Sequence, residues 1–221
     1  MKNVLISGAS GHSKMIIDAI HKNNSYNIIG FIDSYKEDGE TIYGYEIIGS
    51  IADLKQIKEQ HNIYGIIIGV GDNFTRNELK DKINDLSLGL EFPSVVHPSA
   101  IIAKDVIIPE GTVVMPNAVI NANAKIGRFC ILNTATSLGH DCVMADFSSL
   151  ASGATIGGNV TIGFASAICL KASIIQNVSI GDHTVIGAAS LVLKSIGDLK
   201  QAYGVPIHSI KDREPNSKYL G

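Results

Sequence analysis

The chain has 221 residues, of which 45% are hydrophobic and 18% charged, with a formal net charge of -3. That composition supports one large or two small apolar cores and argues against extended disorder. The weak negative charge and the lack of a long basic run argue against nucleic acid or an anionic membrane as main partner, so a small-molecule ligand is expected.

The opening segment, MKNVLISGASGHSK, lacks an uninterrupted apolar stretch of signal-peptide length, and no later run reaches the roughly 18 apolar residues of a membrane span. A cytoplasmic location is the expectation. Residues 3–8 form an apolar run ending in Gly8, and Met15, Ile16, Ala19 and Ile20 follow at helical spacing. Further apolar runs, Tyr26 to Phe31 and Tyr64 to Ile68, alternate with helical stretches at Asp53 to Gln60 and Asn73 to Leu86. Strands alternating with helices predict a small parallel α/β sheet.

Gly8-Ala9-Ser10-Gly11-His12 lies where the first strand hands over to a helix. Backbone N–H groups at such a start favour phosphates, although a glycine turn that merely closes a βα unit reads the same. Asp33 follows Gly8 by 25 residues, close to where a dinucleotide fold places its ribose-binding acid. A nicotinamide oxidoreductase would use these features too. With no second mononucleotide-binding half in the sequence, a nucleoside-diphosphate ligand fits better.

Pro93 and Pro98 mark a boundary. Beyond it, aliphatic residues recur at every sixth position from Ile102 to Val192, and a small or compact residue stands two places before each, from Ala100 to Ser190. This two-site code predicts a parallel β-helix of about five coils, its core an aliphatic column that no single coil buries alone. Glycine one place after the aliphatic residue, at 127, 139, 157, 163, 181 and 187, is expected to supply positive φ at each corner. Cys130 and Cys142 occupy the small inward slot and read as packing thiols. After Val192 the repeat ends, and the polar tail beginning near Gly204-Val205-Pro206 is expected to cap it, either helical or loosely attached.

His140 is the exceptional outward residue of the repeat, placed at a corner after Gly139. Histidine titrates near neutral pH, and acyl transfer from a thioester to an amine or hydroxyl needs such a base to take the nucleophile's proton. Asp141 follows directly, and a carboxylate bonded to the imidazole would hold its tautomer and stabilise the imidazolium. Neighbours on a strand point to opposite faces, so only a corner permits that contact. His183, also outward, reads as surface, as do Lys171 and Lys194, which otherwise suit a coenzyme A phosphate. A zinc β-helix enzyme resembling the γ-class carbonic anhydrases needs two histidines five residues apart, and no two here are so spaced. No metal is expected.

Gly8-Ala9-Ser10-Gly11-His12, Phe31-Ile32-Asp33, Ile68-Gly69-Val70-Gly71-Asp72-Asn73, Val96-His97-Pro98-Ser99-Ala100, the stretch from Asn133 to Asp141, and Gly204-Val205-Pro206 occur in that order. In these pieces, and over nearly all of its length, the chain resembles the bacterial nucleotide-sugar acetyltransferases of the PglD/NeuD type. The resemblance implies a Rossmann-like nucleotide-sugar-binding domain at 1–93, a left-handed β-helix at 94–196 with three hexads per triangular coil, and a cap or tail at 197–221. It also implies acetyl-CoA as cosubstrate and a homotrimer with active sites between subunits. Gly11, His12, Asp33 and Gly71 would lie near the nucleotide, and Asn133 would position the substrate. His140 would be the base with Asp141 as its partner, while the Gly158 N–H would meet the thioester carbonyl and Ala167 and Gly187 would line acetyl-CoA.

The chain departs from the family at Ser34, where members often carry a second acid, and at Ser149, where some carry histidine. The implied reaction is direct attack by an amine, at C4 of a nucleotide-linked amino sugar, on acetyl-CoA, in surface glycan synthesis. O-acetylation of a sialic acid and a non-catalytic β-helix scaffold remain as alternatives.

Overall fold

The computed structural model describes residues 1–219. Its amino-terminal part is a three-stranded parallel sheet with Lys2–Ser7 between Tyr26–Ile32 and Gly65–Ile68. The central strand reads as continuous apolar residues because both faces are covered. Val4 and Ile6 pack on α1 (Gly11–Asn23) through Ile16 and Ile20, and Leu5 points the other way, into a cluster with Leu54 and Ile57 of α2 (Leu54–His61) and Ile83 of α3 (Asn73–Asp85). Ser10 caps α1, and Asn24 ends it with φ of 50°. A small hairpin, Thr41–Ile42 with Tyr45–Glu46, was not foreseen from the sequence.

From Val95 onward, two-residue strands stack with an offset of 18: Ile131 pairs with Ser149, Ser149 with Ala167, and Ala167 with Val185. Three hexads therefore make one coil of a parallel β-helix with three faces. The coils number about six rather than five. The largest face starts at Val95–Val96, one step before the first hexad, and is prolonged past the last by Lys200–Gly204. The inward code holds: Leu132, Leu138, Leu150 and Ile162 are fully buried, as are Cys130 and Cys142. Burial pushes the Cys130 thiol up to about 11. Inward hydroxyls such as Ser148 and Thr184 are satisfied by main chain, Ser148 Oγ donating to Ala145 O at 2.7 Å and Thr184 Oγ1 to Gly197 O at 2.7 Å, whereas Thr136 Oγ1 is buried without a partner among the described residues.

The corners differ from expectation. Positive φ falls three places after the aliphatic residue, at Asn117, Asn123, Phe129, Ala135, Asp141 and Phe147, and not at the repeating glycines. Those glycines serve close stacking instead. A Cβ on Gly127 would lie 2.5 Å from Asp146 N of the next coil, and one on Gly157 would lie 2.6 Å from Gln176 N.

As far as Asp212 the tail is neither helical nor loose, and the last two residues of the expected cap, 220–221, lie outside the described residues. Lys200–Gly204 pairs in parallel with Val185–Ile186, and Ile207–Asp212 folds back antiparallel on it. Unpaired coil edges invite association, and this hairpin covers one.

The amino-terminal part sits on the eight-stranded face, where the outward residues Val95, Val113 and Ile131 join the core under α1. Two side chains of α3 bolt the seam. Arg76, 1% exposed, donates from Nε to Phe129 O at 2.9 Å and from Nη2 to Phe147 O at 2.8 Å, with further bonds to Gly71 O and Asn73 Oδ1. Asn73 Nδ2 donates to Ala165 O at 3.2 Å. Phe129, Phe147 and Ala165 are the same positive-φ corner in three successive coils, and α3 thus reads the stacking period directly. Phe129 and Phe147 also stack, with centroids 5.0 Å apart. Among the described residues no helix is long and apolar enough to cross a membrane.

Candidate active site

His140 stands at the corner between the Ser137–Leu138 and Val143–Met144 strands, with its side chain 69% exposed. Its Nδ1 lies 2.7 Å from Asp141 Oδ2. A carboxylate only accepts, so Nδ1 carries the hydrogen and Nε2 keeps the free lone pair. Adjacent residues meet here because Asp141 occupies the left-handed corner, with φ of 60°. Asn123, one coil earlier at the same corner, donates from Nδ2 to Asp141 Oδ1 at 2.6 Å. This bond, and next the one from His140, hold the Asp141 carboxyl below the usual range. Asn123 was not singled out from the sequence; its signal is its place 18 residues before Asp141.

The imidazole lies over the next coil. A Cβ on Gly158 would fall 2.5 Å from His140 Nε2, so a larger residue there would displace the ring from this position. The Gly158 N–H has no acceptor among the described residues. A free lone pair and a free N–H therefore sit side by side at this corner.

A cavity of about 650 Å³ lies where the amino-terminal part meets the eight-stranded face. It brings together His12, Gly71, Asn133, Ala167 and Gly187 from the expected site, and adds Ser149, Cys169 and Tyr219. Asn133 Oδ1 accepts from Thr134 N at 2.8 Å. Burial, and then the charge of Arg76, lower the His12 pKa to about 4, and its Nε2 is buried without a partner. His12 is thus a neutral hydrogen-bonding group near pH 7. Neither His140 nor Gly158 lines this cavity.

Asp33 belongs to a second, smaller cavity of about 240 Å³ with Gly8, Ser34, Tyr35, Thr75 and Lys82. Its Oδ2 accepts from Ala9 N and its Oδ1 from Tyr35 N, both at 2.8 Å, so it braces the glycine turn as well as facing that space. The turn offers less to a phosphate than its sequence suggested. The N–H groups of Gly8, Ala9, Ser10 and His12 are bonded within the chain, to Ile32 O, Asp33, Ser13 and Ser10. Gly11 N–H is unbonded among the described residues, and Gly11 lines neither cavity.

His183 is half-buried rather than a surface residue: its ring packs edge-on to Phe164 at 5.3 Å and its carbonyl accepts from Arg213. Lys171 and Lys194 are exposed.

Residues 3–83 match the family model described as the PglD N-terminal domain. Among curated proteins, the chain is 28% identical over 126 residues to GDP-perosamine N-acetyltransferase of Escherichia coli O157:H7, covering 56% of this chain and 54% of that one. It is 33% identical over 119 residues to UDP-N-acetylbacillosamine N-acetyltransferase of Bacillus subtilis, covering 52% of each. These matches span about half the length of the curated relatives.

Structural matches run nearly end to end. A histidine-to-asparagine mutant of perosamine N-acetyltransferase from Caulobacter crescentus, solved with CoA and GDP-perosamine, superposes with a TM-score of 0.89 at 28% identity, covering 96% of this chain and 97% of that one. The acetyltransferase domain of PglB from Neisseria gonorrhoeae, with acetyl coenzyme A, gives 0.86 at 28% identity, covering 94% and 98%.

Proposed function

We propose that this chain, which belongs to the PglD type by its amino-terminal domain and its fold, transfers the acetyl group of acetyl-CoA to the amine of a nucleotide-linked amino sugar. One observation carries the proposal: the His140–Asp141–Asn123 relay leaves Nε2 free beside the unbonded Gly158 N–H. That pairing suits direct acyl transfer.

The neutral amine attacks the thioester carbonyl while His140 Nε2 takes its proton as the C–N bond forms. Asp141 stabilises the imidazolium, and the Gly158 N–H meets the oxyanion. Collapse of the tetrahedral intermediate breaks the C–S bond and releases CoA, whose sulfur takes up a proton. No acyl-enzyme forms.

The cavity is the place for the acceptor, with Asn133, His12 and Gly71 on the sugar and nucleotide side and Ala167 and Gly187 toward acetyl-CoA. Asp33 would face the nucleotide from the smaller cavity. The base sits on one corner of the prism and the cavity opens at another, beside Asn133 and Gly187. The reading therefore requires the His140 of one copy to meet the cavity of a neighbour, as in a homotrimer. The finer assignment, to the C4 amine of a sugar for surface glycans in the cytoplasm, goes with this reading.

Incubation with acetyl-CoA and a panel of UDP-, dTDP- and GDP-linked amino sugars, read by release of free thiol, tests it. Thiol release that requires an amino sugar is the expected result. Release supported only by a hydroxyl acceptor such as a sialic acid would replace it with O-acetylation.

A further inference from the structure

Tyr219 reaches the main cavity from the carboxy-terminal tail. The tail is pinned on its way: Arg213 donates to His183 O at 2.6 Å and to Ser217 O at 2.5 Å, with its guanidinium 5.9 Å from the Tyr219 ring. The phenol oxygen accepts from Asn73 N, at the start of α3, at 3.1 Å. Its acceptor capacity is used within the chain. Its own hydrogen has no acceptor among the described residues.

Burial is the first cause that raises the phenol's pKa, so the group stays protonated at working pH. Its surroundings suit a donor that awaits a ligand. The charge of Arg76 acts on it, and Oδ1 of the nearby carboxylate, Asp72, accepts from Thr75 N and Thr75 Oγ1, each at 2.9 Å. In the same wall, His12 Nε2 is buried and unpartnered. Buried polar groups are nearly always bonded, and a hydroxyl hydrogen left unused at a cavity wall is one that a ligand completes.

We infer that Tyr219 donates its phenolic hydrogen bond to the nucleotide-linked sugar, making the carboxy-terminal tail part of the acceptor site. The sugar is assigned over acetyl-CoA because Tyr219 is bonded to Asn73, and His12 and Gly71, also from the amino-terminal part, line the same cavity. The inference rests on the acetyl-transfer reading above.

Tyr219→Phe keeps the ring and removes the hydrogen. Its KM for the nucleotide amino sugar is expected to rise about tenfold, the scale of one lost hydrogen bond, while the KM for acetyl-CoA stays within about twofold. A chain ended at Ser217, should the Phe variant fold poorly, is expected to raise the same KM further. Calorimetric binding of the sugar without acetyl-CoA should weaken in parallel. Unchanged KM values in Tyr219→Phe, or a rise confined to acetyl-CoA, would overturn the inference alone. A parent protein inactive on every nucleotide amino sugar would overturn the acetyl-transfer reading, and this inference with it.

Discussion

Two histidines place the chain's two kinds of site chemistry side by side. His140 stands on an outer corner, mostly in solvent, with its whole support drawn from one repeat slot: Asp141 beside it and Asn123 one coil earlier. His12 is enclosed, its environment assembled from α1, the α3 guanidinium of Arg76 and a cavity wall from the β-helix. A base must gain a proton during turnover, which burial beside a cation opposes and a paired carboxylate favours. The proposed base is therefore the exposed, carboxylate-bonded histidine, and the enclosed one is a neutral hydrogen-bonding group.

This contrast is broken most severely at the exposed corner. His140→Asn, with folding intact, is expected to lower kcat by about 10²–10⁴, measured by thiol release; undiminished turnover would remove the base. Gly158→Ala tests the corner without touching its ionisable groups. The added Cβ would lie 2.5 Å from Nε2, and the displaced ring should lower kcat about 10²-fold with little change in melting temperature.

At the enclosed site the effects are on stability. Arg76→Met strands the carbonyls of Phe129, Phe147 and Gly71 and is expected to cost about 3–5 kcal/mol in denaturant unfolding. A loss below about 1 kcal/mol would show that the seam does not depend on this bolt. The mildest test is pH. His12 has its folded-state pKa lowered to about 4 from 6.5, so between these values the unfolded chain binds the extra proton. Its contribution is fully present above pH 6.5 and is lost as pH falls toward 4, by up to about 3 kcal/mol. His12→Gln should flatten that part of the stability profile, and an equally steep profile in the variant would place the titrating group elsewhere.

The hexad code was readable because burial in a β-helix is set by neighbours a fixed number of residues away; Leu132, Leu150 and Ile162 are all inward as their phase requires. The glycine corners were misassigned for a related reason. Spacing marks where a side chain is forbidden but not why, and only the stacked coils show that Gly157 yields to the backbone of Gln176 while Asp141 takes the positive φ. An 18-residue period in the outward slot, apolar at Val95, Val113, Ile131, Ala167 and Val185, was the available signal for the face that meets the amino-terminal part. Tyr219 carried none, since the tail has no repeat to set its phase.

By itself the sequence determined the six-residue period, the inward and outward sides of the chain, the α/β order before it and the place of His140 on the outside of the repeat. These depend on local geometry, which residue spacing encodes. Tertiary structure alone decided that His140 and the His12 cavity lie on different corners, that Arg76 and Asn73 together tie the main chain of three coils to α3, and that Tyr219 lines the cavity. Those relations join residues tens to more than a hundred positions apart, and their distances are set by how coils and domains pack.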